Sequence, residues 1–412
     1  MTGITKNDTS GGYRAVSIAL FLCLFAGQAA MIAMSPVLAD AASDLHVSTA
    51  AAGQLRTITG LAAGITALVF GVLAGRVGLG RQLLAASALL AIASIASAAA
   101  PTFPLLALAQ LPVGVAVAVL TTAGTLAAAE WVAPELRTRT LSWALVGQPA
   151  AWIVGMPLIG ALGERSWRYG WLALPLAAAV AAAILVASRA GQPPAQSQPA
   201  RIRAALRDRT LARWLASELL ANAAWAGTLV YAGALFAESY GTSTKLTGCL
   251  LAVAAVAYVA GNLSFRRLIR MEPRRMLALL AVLLAVTDGL FGATRAGLAA
   301  STALFASAAF VAGGRTIVAS AFALATAPEI RPAVTGLRAA TMQFGYFAGS
   351  IAGGAALTMG GYNALGATMG ALFLAAAITL ARPSTSQRTS VARDSAPPRP
   401  RGLLPALYRT RG

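Results

Sequence analysis

The chain has 412 residues, of which 58% are hydrophobic and 11% are charged, and its formal net charge is +19. A soluble domain would carry about a quarter charged residues, so this composition excludes an ordinary soluble protein. A strongly positive charge can indicate nucleic-acid binding, but here the arginines lie mainly in connections between apolar runs, where they orient a membrane protein. We expect contact with the lipid bilayer and none with nucleic acid.

Long apolar runs follow one another along the chain, and a membrane-spanning helix needs about 20 such residues. The runs are continuous rather than alternating, so helices are favoured over barrel strands. The two longest charge-free runs each hold a helix pair, separated at Pro101 with Pro104 and at Gly360 with Gly361. The predicted helices are 15–39, 50–74, 82–100, 103–129, 139–163, 168–188, 211–237, 246–265, 274–294, 298–326, 332–359 and 363–381.

The predicted fold is therefore all-α and integral to the membrane, with 12 transmembrane helices arranged as two six-helix bundles. The N-terminal bundle is residues 1–188 and the C-terminal bundle is residues 211–382. Between them, 189–210 is rich in arginine and proline and is predicted to be a cytoplasmic linker. Residues 383–412 are similarly rich in arginine and proline, a composition typical of disorder, and are predicted to form a cytoplasmic tail.

The orientation follows from the positions of the 32 Lys and Arg residues. Three of them lie inside predicted helices, four lie in connections on one side and the remaining 25 lie on the other side. Positive residues accumulate on the cytoplasmic side of a membrane. We therefore expect a multi-pass protein of the bacterial inner membrane with both termini in the cytoplasm.

Two short segments repeat at matching connections of the two bundles. Gly71-Val-Leu-Ala-Gly-Arg76 is followed at a nearly constant offset by Gly261-Asn-Leu-Ser-Phe-Arg266, and Pro134-Glu-Leu-Arg137 by Pro328-Glu-Ile-Arg331. Together the pairs indicate an internal duplication. Parallel repeats related by an axis along the membrane normal are an established plan of secondary transporters.

At these residues the chain resembles the major facilitator superfamily. The segment Gly71 to Gly78 is similar to the family's Gly-x-x-x-Asp-Arg-x-Gly-Arg signature, and the passages 35–55 and 155–171 resemble those of bacterial drug and sugar exporters. Three positions depart from the family pattern: Gly75 replaces the signature aspartate, Gln110 lies near the place of a helix 4 arginine, and the helix 5 motif survives only in part.

The resemblance implies a secondary transporter that exports a small, partly apolar molecule by alternating access, with protons as the coupling ion. It also implies that Gly71, Arg76 and Gly78 contribute to gating. An importer or an uncoupled facilitator of a small metabolite is the alternative, and a non-transporting membrane sensor on the same scaffold is a further one. We expect a monomer.

A charge near the bilayer centre normally has a partner or lines water. Arg315, in the middle of predicted helix 10, is a candidate to bind an anionic substrate group or a proton-accepting carboxylate; the alternative is a structural ion pair. Glu218, Asn222 and Trp225 share one face of helix 7, a helix that lines the cavity in this family. Glu218 could carry the coupling proton or extend to the cytoplasmic interface.

Two further charges are predicted to pair near the external side. Arg56, in predicted helix 2, is expected to pair with Asp40 or Asp44, either as a latch of the external gate or as a topology anchor. Asp288, in predicted helix 9, is expected to pair with Arg295 or to be solvated at the interface.

Neutral polar and aromatic residues are the remaining candidate substrate contacts, with helix–helix packing as the alternative for each. They are Gln28, Gln148, Trp152, Gln343 and Tyr346. The sequence lacks the Gly-x-x-x-x-Gly-Lys-Ser/Thr loop of proteins driven directly by ATP, and its one histidine, His46, falls in an external connection. We predict no enzymatic activity, no metal and no cofactor.

Overall fold

A computed structural model describes residues 6–73, 77–189, 191, 206–266, 272–327 and 330–381. These described residues belong to one compact unit. The predicted tail and most of the predicted linker lie outside the described residues, as does Arg76.

Among the described residues, ten helices are long and apolar enough to cross a membrane, and one of them, Ala333–Ala381, is a pair joined at a break. The 19-residue helix Leu55–Leu73 completes the 12 predicted helices. In chain order they are α1 (Lys6–Ile32), α2 (Leu55–Leu73), α3 (Leu79–Ala99), α4 (Phe103–Glu130), α5 (Pro134–Gly163), α6 (Tyr169–Ala187), α7 (Arg209–Tyr240), α8 (Thr244–Phe265), α9 (Pro273–Ala293), α10 (Leu298–Leu324), α11 (331–359) and α12 (362–381).

Both predicted helix-pair separations are confirmed. Gly361 has φ +62°, a left-handed conformation that glycine adopts without steric cost, so the chain reverses between α11 and α12. Before α4 the backbone is extended at Ala100 and Thr102. Pro104 then occupies the first turn of α4, where its missing N–H breaks no helical hydrogen bond.

The connection between α1 and α2 differs from the prediction. The first helix ends at Ile32 rather than at residue 39, and a separate short helix, Leu38–Asp44, follows a turn that contains Pro36. Proline cannot donate the backbone hydrogen bond that a continuous helix would need. A second short helix, Thr49–Gly53, is capped by Ser48, whose hydroxyl accepts from the Ala51 N–H at 3.1 Å.

The N half (α1–α6) and the C half (α7–α12) meet where α2 packs on α11 and α5 packs on α8. Glycines permit both approaches. A Cβ at Gly60 would meet the Phe347 backbone nitrogen of α11, and one at Gly160 would overlap the Thr244 carbonyl oxygen of α8. Gly60 and Gly160 therefore allow close packing of the helices of the two halves. We call the end with the α1–α2, α5–α6 and α7–α8 connections the distal end, and the opposite one the terminal end.

Helix α11 also packs closely on α7, which predicts a large effect of one added methyl group. A Cβ at Gly349 would overlap the Ala223 carbonyl oxygen and lie 2.8 Å from the Gly227 nitrogen. We expect Gly349→Ala to lower the free energy of unfolding by about 1–3 kcal/mol. Thermal unfolding of the purified protein in detergent measures this change.

Gly336→Ala on the same helix is the matched control, because a Cβ there meets nothing within 4 Å. Alanine has the higher helix propensity, so the control should unfold at the same temperature or slightly higher. Equal destabilisation by both substitutions would contradict the packing argument.

Candidate functional site

Three charged side chains meet inside the C half, and we call them the charge cluster. Glu218 of α7 accepts from Arg315 of α10, with 2.5 Å between Oε1 and Nη2, and from Arg338 of α11, with 3.3 Å between Oε2 and Nε. Glu218 is 1% exposed and Arg315 is 5% exposed. Two guanidinium groups thus face one carboxylate, which leaves a formal charge of +1 in the cluster.

The approach of α10 to α8 places the cluster in the protein interior. A Cβ at Gly313 would overlap the Tyr258 carbonyl oxygen, and one at Gly314 would meet the Phe265 ring. Beside Arg315, the Tyr258 hydroxyl donates to Thr316 Oγ1 at 2.8 Å. Small residues immediately before Arg315 therefore bring the α8 backbone close enough to enclose its side chain.

The charge cluster tests the roles that the sequence predicted for Glu218 and Arg315. Glu218 is buried between the helices and bound to two cations, so the prediction that it extends to the cytoplasmic interface is wrong. Arg315 holds a carboxylate, as one of its predicted roles required, while its own Nε has no hydrogen-bond partner among the described atoms. Arg338 was missed as a member of the cluster because its position within an apolar helix does not reveal which residue it faces.

The other two residues predicted on the α7 face lie next to the cluster. Asn222 donates from Nδ2 to Thr341 Oγ1 of α11 at 3.3 Å. Trp225 is half-buried and stacks on Phe305 of α10, with 6.1 Å between ring centroids. The face formed by Glu218, Asn222 and Trp225 is thus directed at α10 and α11.

The five neutral and aromatic candidates are all half-buried. Gln28 lies on α1, and Gln148 and Trp152 lie on α5, so these three belong to the N half and not to the charge cluster. Gln343 and Tyr346 lie on α11, where it packs against α2. The buried Oε1 of Gln343 has no hydrogen-bond partner among the described atoms.

The predicted pairing of Arg56 is wrong. Asp44 instead accepts from Arg168 Nη1 at 2.5 Å and from Trp167 Nε1 at 2.9 Å. These hydrogen bonds, that of Trp167 first, hold the pKa of Asp44 below its ordinary value. Asp40 forms no ion pair among the described residues, and partial burial raises its pKa. Arg56 points into the protein interior, away from both carboxylates.

The two predicted environments of Asp288 are also wrong. Its side chain is 1% exposed, so it is not solvated at the interface. Arg295 donates instead to the backbone carbonyls of Thr294 and Phe291. Thr228 of α7 lies 2.6 Å from Asp288 Oδ2, while Oδ1 has no partner among the described atoms.

Hydrogen bonds join the two halves at the distal end. Gln54 Nε2 donates to the Ser350 carbonyl at 2.9 Å and to the Tyr231 hydroxyl at 3.2 Å. The Tyr231 hydroxyl lies 3.3 Å from the Ala50 carbonyl oxygen. Thr49 donates to Glu238, which also accepts from Tyr362. We call Thr49, Gln54, Tyr231, Glu238 and Ser350 the distal latch; no sequence motif marked them.

The predicted gating segment lies toward the terminal end. Gly71 is in the last turn of α2, and Gly78 is the extended residue that precedes α3. Arg76 falls outside the described residues. A gating role for these three residues stays a prediction. Within the described ranges, no three His, Cys, Asp or Glu side chains are grouped to hold a metal.

The charge cluster predicts a large penalty for neutralising its carboxylate. Glu218→Gln would leave two buried guanidinium groups without their anion, and such a loss costs about 3–5 kcal/mol of unfolding free energy. Adding Arg315→Gln removes one uncompensated charge, so the double variant should be more stable than Glu218→Gln alone. Thermal unfolding of the four members of this double-mutant cycle tests the coupling; simple additivity would contradict it.

The fold is similar to those of solved membrane transporter structures. Similar solved structures include the nucleoside transporter NupG (D323A mutant), with 15% identity, TM-score 0.68 and coverage of 90% of this chain and 98% of that one. A D-xylose–proton symporter has 14% identity, TM-score 0.69 and coverage of 90% and 97%. The human organic anion transporter MFSD10 (TETRAN) has 16% identity, TM-score 0.64 and coverage of 89% and 99%.

A search of curated proteins finds no match. The family model described as Major Facilitator Superfamily matches residues 17–287 and 217–411. These matches span both halves of the fold and nearly all of its helices. The protein is therefore a membrane transporter of the Major Facilitator Superfamily.

Proposed function

We propose that the protein exports a small, partly apolar molecule by alternating access in exchange for protons. The terminal end then faces the cytoplasm, in agreement with the Lys and Arg asymmetry of the sequence. The observation that carries this proposal is the contact between the halves, which consists of glycine-lined helix packing and a hydrogen-bonded latch toward the distal end.

Alternating access needs an interface that opens at one end without losing the fold. A neutral hydrogen bond contributes about 0.5–1.5 kcal/mol net, and one to a charged group such as Glu238 about 1.5–3 kcal/mol. The few bonds of the distal latch therefore form a reversible closure. The smooth glycine contacts of α2 with α11 and of α5 with α8 provide surfaces about which the halves can rock. Half-buried Trp152, Trp225 and Tyr346 supply aromatic surface for the apolar part of a substrate.

The coupling proton needs a carboxyl group that can change its charge during the cycle. Protonation of Glu218 would neutralise the carboxylate that faces two guanidinium groups. It would therefore leave uncompensated positive charge in the interior. Asp288 has no ion pair among the described residues. Asp288 is 1% exposed. A buried charge needs a partner, and a proton is the partner available to Asp288.

The hydrogen bonds around Asp288 accommodate both states. Thr228 Oγ1 lies 2.6 Å from Asp288 Oδ2 and 3.2 Å from the Ala224 carbonyl. When Asp288 is ionised, the threonine hydroxyl donates to the carboxylate. When Asp288 is protonated, its O–H donates to Thr228, and the threonine hydroxyl turns to Ala224. We therefore assign proton coupling to Asp288 in this proposal, in place of Glu218.

The direction and the coupling ion draw on the wider resemblance. The passages 35–55 and 155–171 resemble exporters, and one of the similar structures is a proton-coupled symporter. The similar structures are transporters of nucleosides, of D-xylose and of organic anions. These substrates differ too much to identify the one moved by this protein.

Asp288→Asn tests the coupling. Uptake of a panel of small, partly apolar compounds into inverted membrane vesicles should rise with an imposed proton gradient in the wild type. In Asp288→Asn we expect the stimulation by the gradient to disappear while downhill movement persists. The control is Thr287→Val. The Thr287 hydroxyl donates to the Leu283 carbonyl on the exposed side of α9, so this variant should behave as the wild type.

Wild-type transport that ignores the gradient would exclude antiport and favour an uncoupled facilitator. Movement of no compound would favour the sensor alternative. Full stimulation of Asp288→Asn by the gradient would contradict the assignment of the proton to this residue.

Tyr231→Phe tests the latch, because it removes the hydroxyl that lies near Gln54, Ala50 and Ser350. Spin labels at exposed Ser43 and Lys245, one in each half, report the distance across the distal end. We expect a distribution shifted to longer distances in this variant.

The matched control is Tyr240→Phe, which removes a tyrosine–serine hydrogen bond between α7 and α10, inside the C half. It should leave the distance across the distal end unchanged. An identical distribution in the wild type and in Tyr231→Phe would show that the latch does not hold this end closed.

A further inference from the structure

Arg56 is a buried cation that no part of the proposed cycle uses. It is 7% exposed, and its Nη1 lies 3.4 Å from the Met31 sulfur. Its guanidinium carbon lies 6.0 Å from the centre of the Tyr346 ring. Among the described residues, none of the four ion pairs includes it.

Its position is between the two halves. Met31 belongs to α1, whereas Tyr346 belongs to α11 of the C half. A small cavity beside Arg56 is bounded by residues of the N half and by Val230 of α7. The N-half residues of its lining include Met34, Ser35, Ala52 and Gln110. Arg56 therefore lies beside a small cavity at the contact between the two halves.

The electrostatics of this space are unbalanced. Arginine keeps its charge under all physiological conditions, and a buried charge without a partner is costly. A thioether and an aromatic face are weak partners compared with an anion. The charge cluster does not compensate for Arg56, because it already carries two cations against one carboxylate. The charge cluster thus has its own formal charge of +1, and Arg56 adds a further buried cation on the N half.

We propose that Arg56 binds the carboxylate of an organic acid, and that this acid is the transported solute. The planar guanidinium matches a carboxylate through two parallel hydrogen bonds. Met31 and Tyr346 lie against the guanidinium group, and Met34 lines the adjoining cavity. These side chains offer thioether and aromatic surface for the apolar remainder of such a molecule. This inference rests on the proposed transport function and specifies the chemical class of its substrate.

Binding is tested on the full-length protein in detergent, separately from transport. The probes are acetate, benzoate and phenylacetate, with acetamide, benzamide and phenylacetamide as neutral analogues of the same shape. A ligand that binds the folded state raises the unfolding temperature with its concentration. We expect at least one carboxylate to raise it and its amide not to do so. Equal shifts by acid and amide, or no shift by any acid, would overturn the proposal.

Variants at Arg56 locate the site. Arg56→Gln should weaken carboxylate binding at least tenfold in calorimetric titrations. Arg56→Lys keeps the charge but loses the planar fork of the guanidinium group, and should bind carboxylates with intermediate affinity. If Arg56→Gln does not fold, the affinity of Arg56→Lys tests the assignment alone. Arg295→Gln, a distal-end arginine that binds backbone carbonyls, is the control and should bind as the wild type. Unchanged affinity in both Arg56 variants would overturn the assignment.

Chloride and inorganic phosphate are the remaining ligands tested in the unfolding assay. Stabilisation by these ions equal to that by benzoate would show a site for inorganic anions and would overturn the organic-acid assignment. Carboxylate binding without any movement in vesicles would contradict the proposed transport function and leave the site intact. Export of neutral compounds only, without carboxylate binding, would preserve the transport function and remove this inference.

Discussion

Charge in an apolar interior needs a partner, and this constraint organises the C half. Glu218 on α7 is enclosed by Arg315 and Arg338, so three helices are tied to one point. The cost of separating such ions in a low-dielectric environment is several kcal/mol, which makes the arrangement of α7, α10 and α11 specific. The same constraint identifies Arg56 and Asp288, because both are buried charges whose partners are not ionised side chains of the described structure.

Glycine complements this electrostatic constraint. The cluster can form only because α10 approaches α8 at Gly313 and Gly314, and α11 approaches α7 at Gly349. Helices inside a membrane gain little from burying apolar side chains against each other, so close backbone contact and interhelical hydrogen bonds provide their association. Where the two halves meet, similar contacts at Gly60 and Gly160 give a smooth interface. Each of the four ion pairs among the described residues thus lies within one half, and the contacts between the halves are helix packing and hydrogen bonds.

This distribution bears on mechanism. Ion pairs that crossed between the halves would resist their separation, whereas the distal latch consists of hydrogen bonds and can open at modest cost. Asp288 and the charge cluster both involve α7, a helix that also supplies Tyr231 to the latch. A change in charge at Asp288 acts on Thr228, three residues from Tyr231 along the same helix. In the proposed cycle, this shared helix would connect proton binding at Asp288 with closure of the distal end.

The sequence by itself determined the number of helices, their approximate bounds and the break at Gly360 and Gly361. The length of an apolar run and the conformational freedom of glycine are local properties, so they can be read along the chain. The same local information singled out Arg315 and Glu218 as charges within predicted helices, and left the burial of Glu218 open. Pro36 ended α1 earlier than predicted, because hydropathy does not register a missing backbone donor.

Only the tertiary structure decided which residues the buried polar and charged side chains contact. Arg56 and Asp44 are close in sequence, yet Arg168 of a different connection occupies the carboxylate, and Arg56 turns under Tyr346. Asp288 lies near Arg295 along the chain, but α9 buries it against Thr228 of α7. Arg338 and Tyr231 carried no recognisable motif. The partner of a side chain depends on which helices approach each other and at what height, and that is set by packing across the whole bundle.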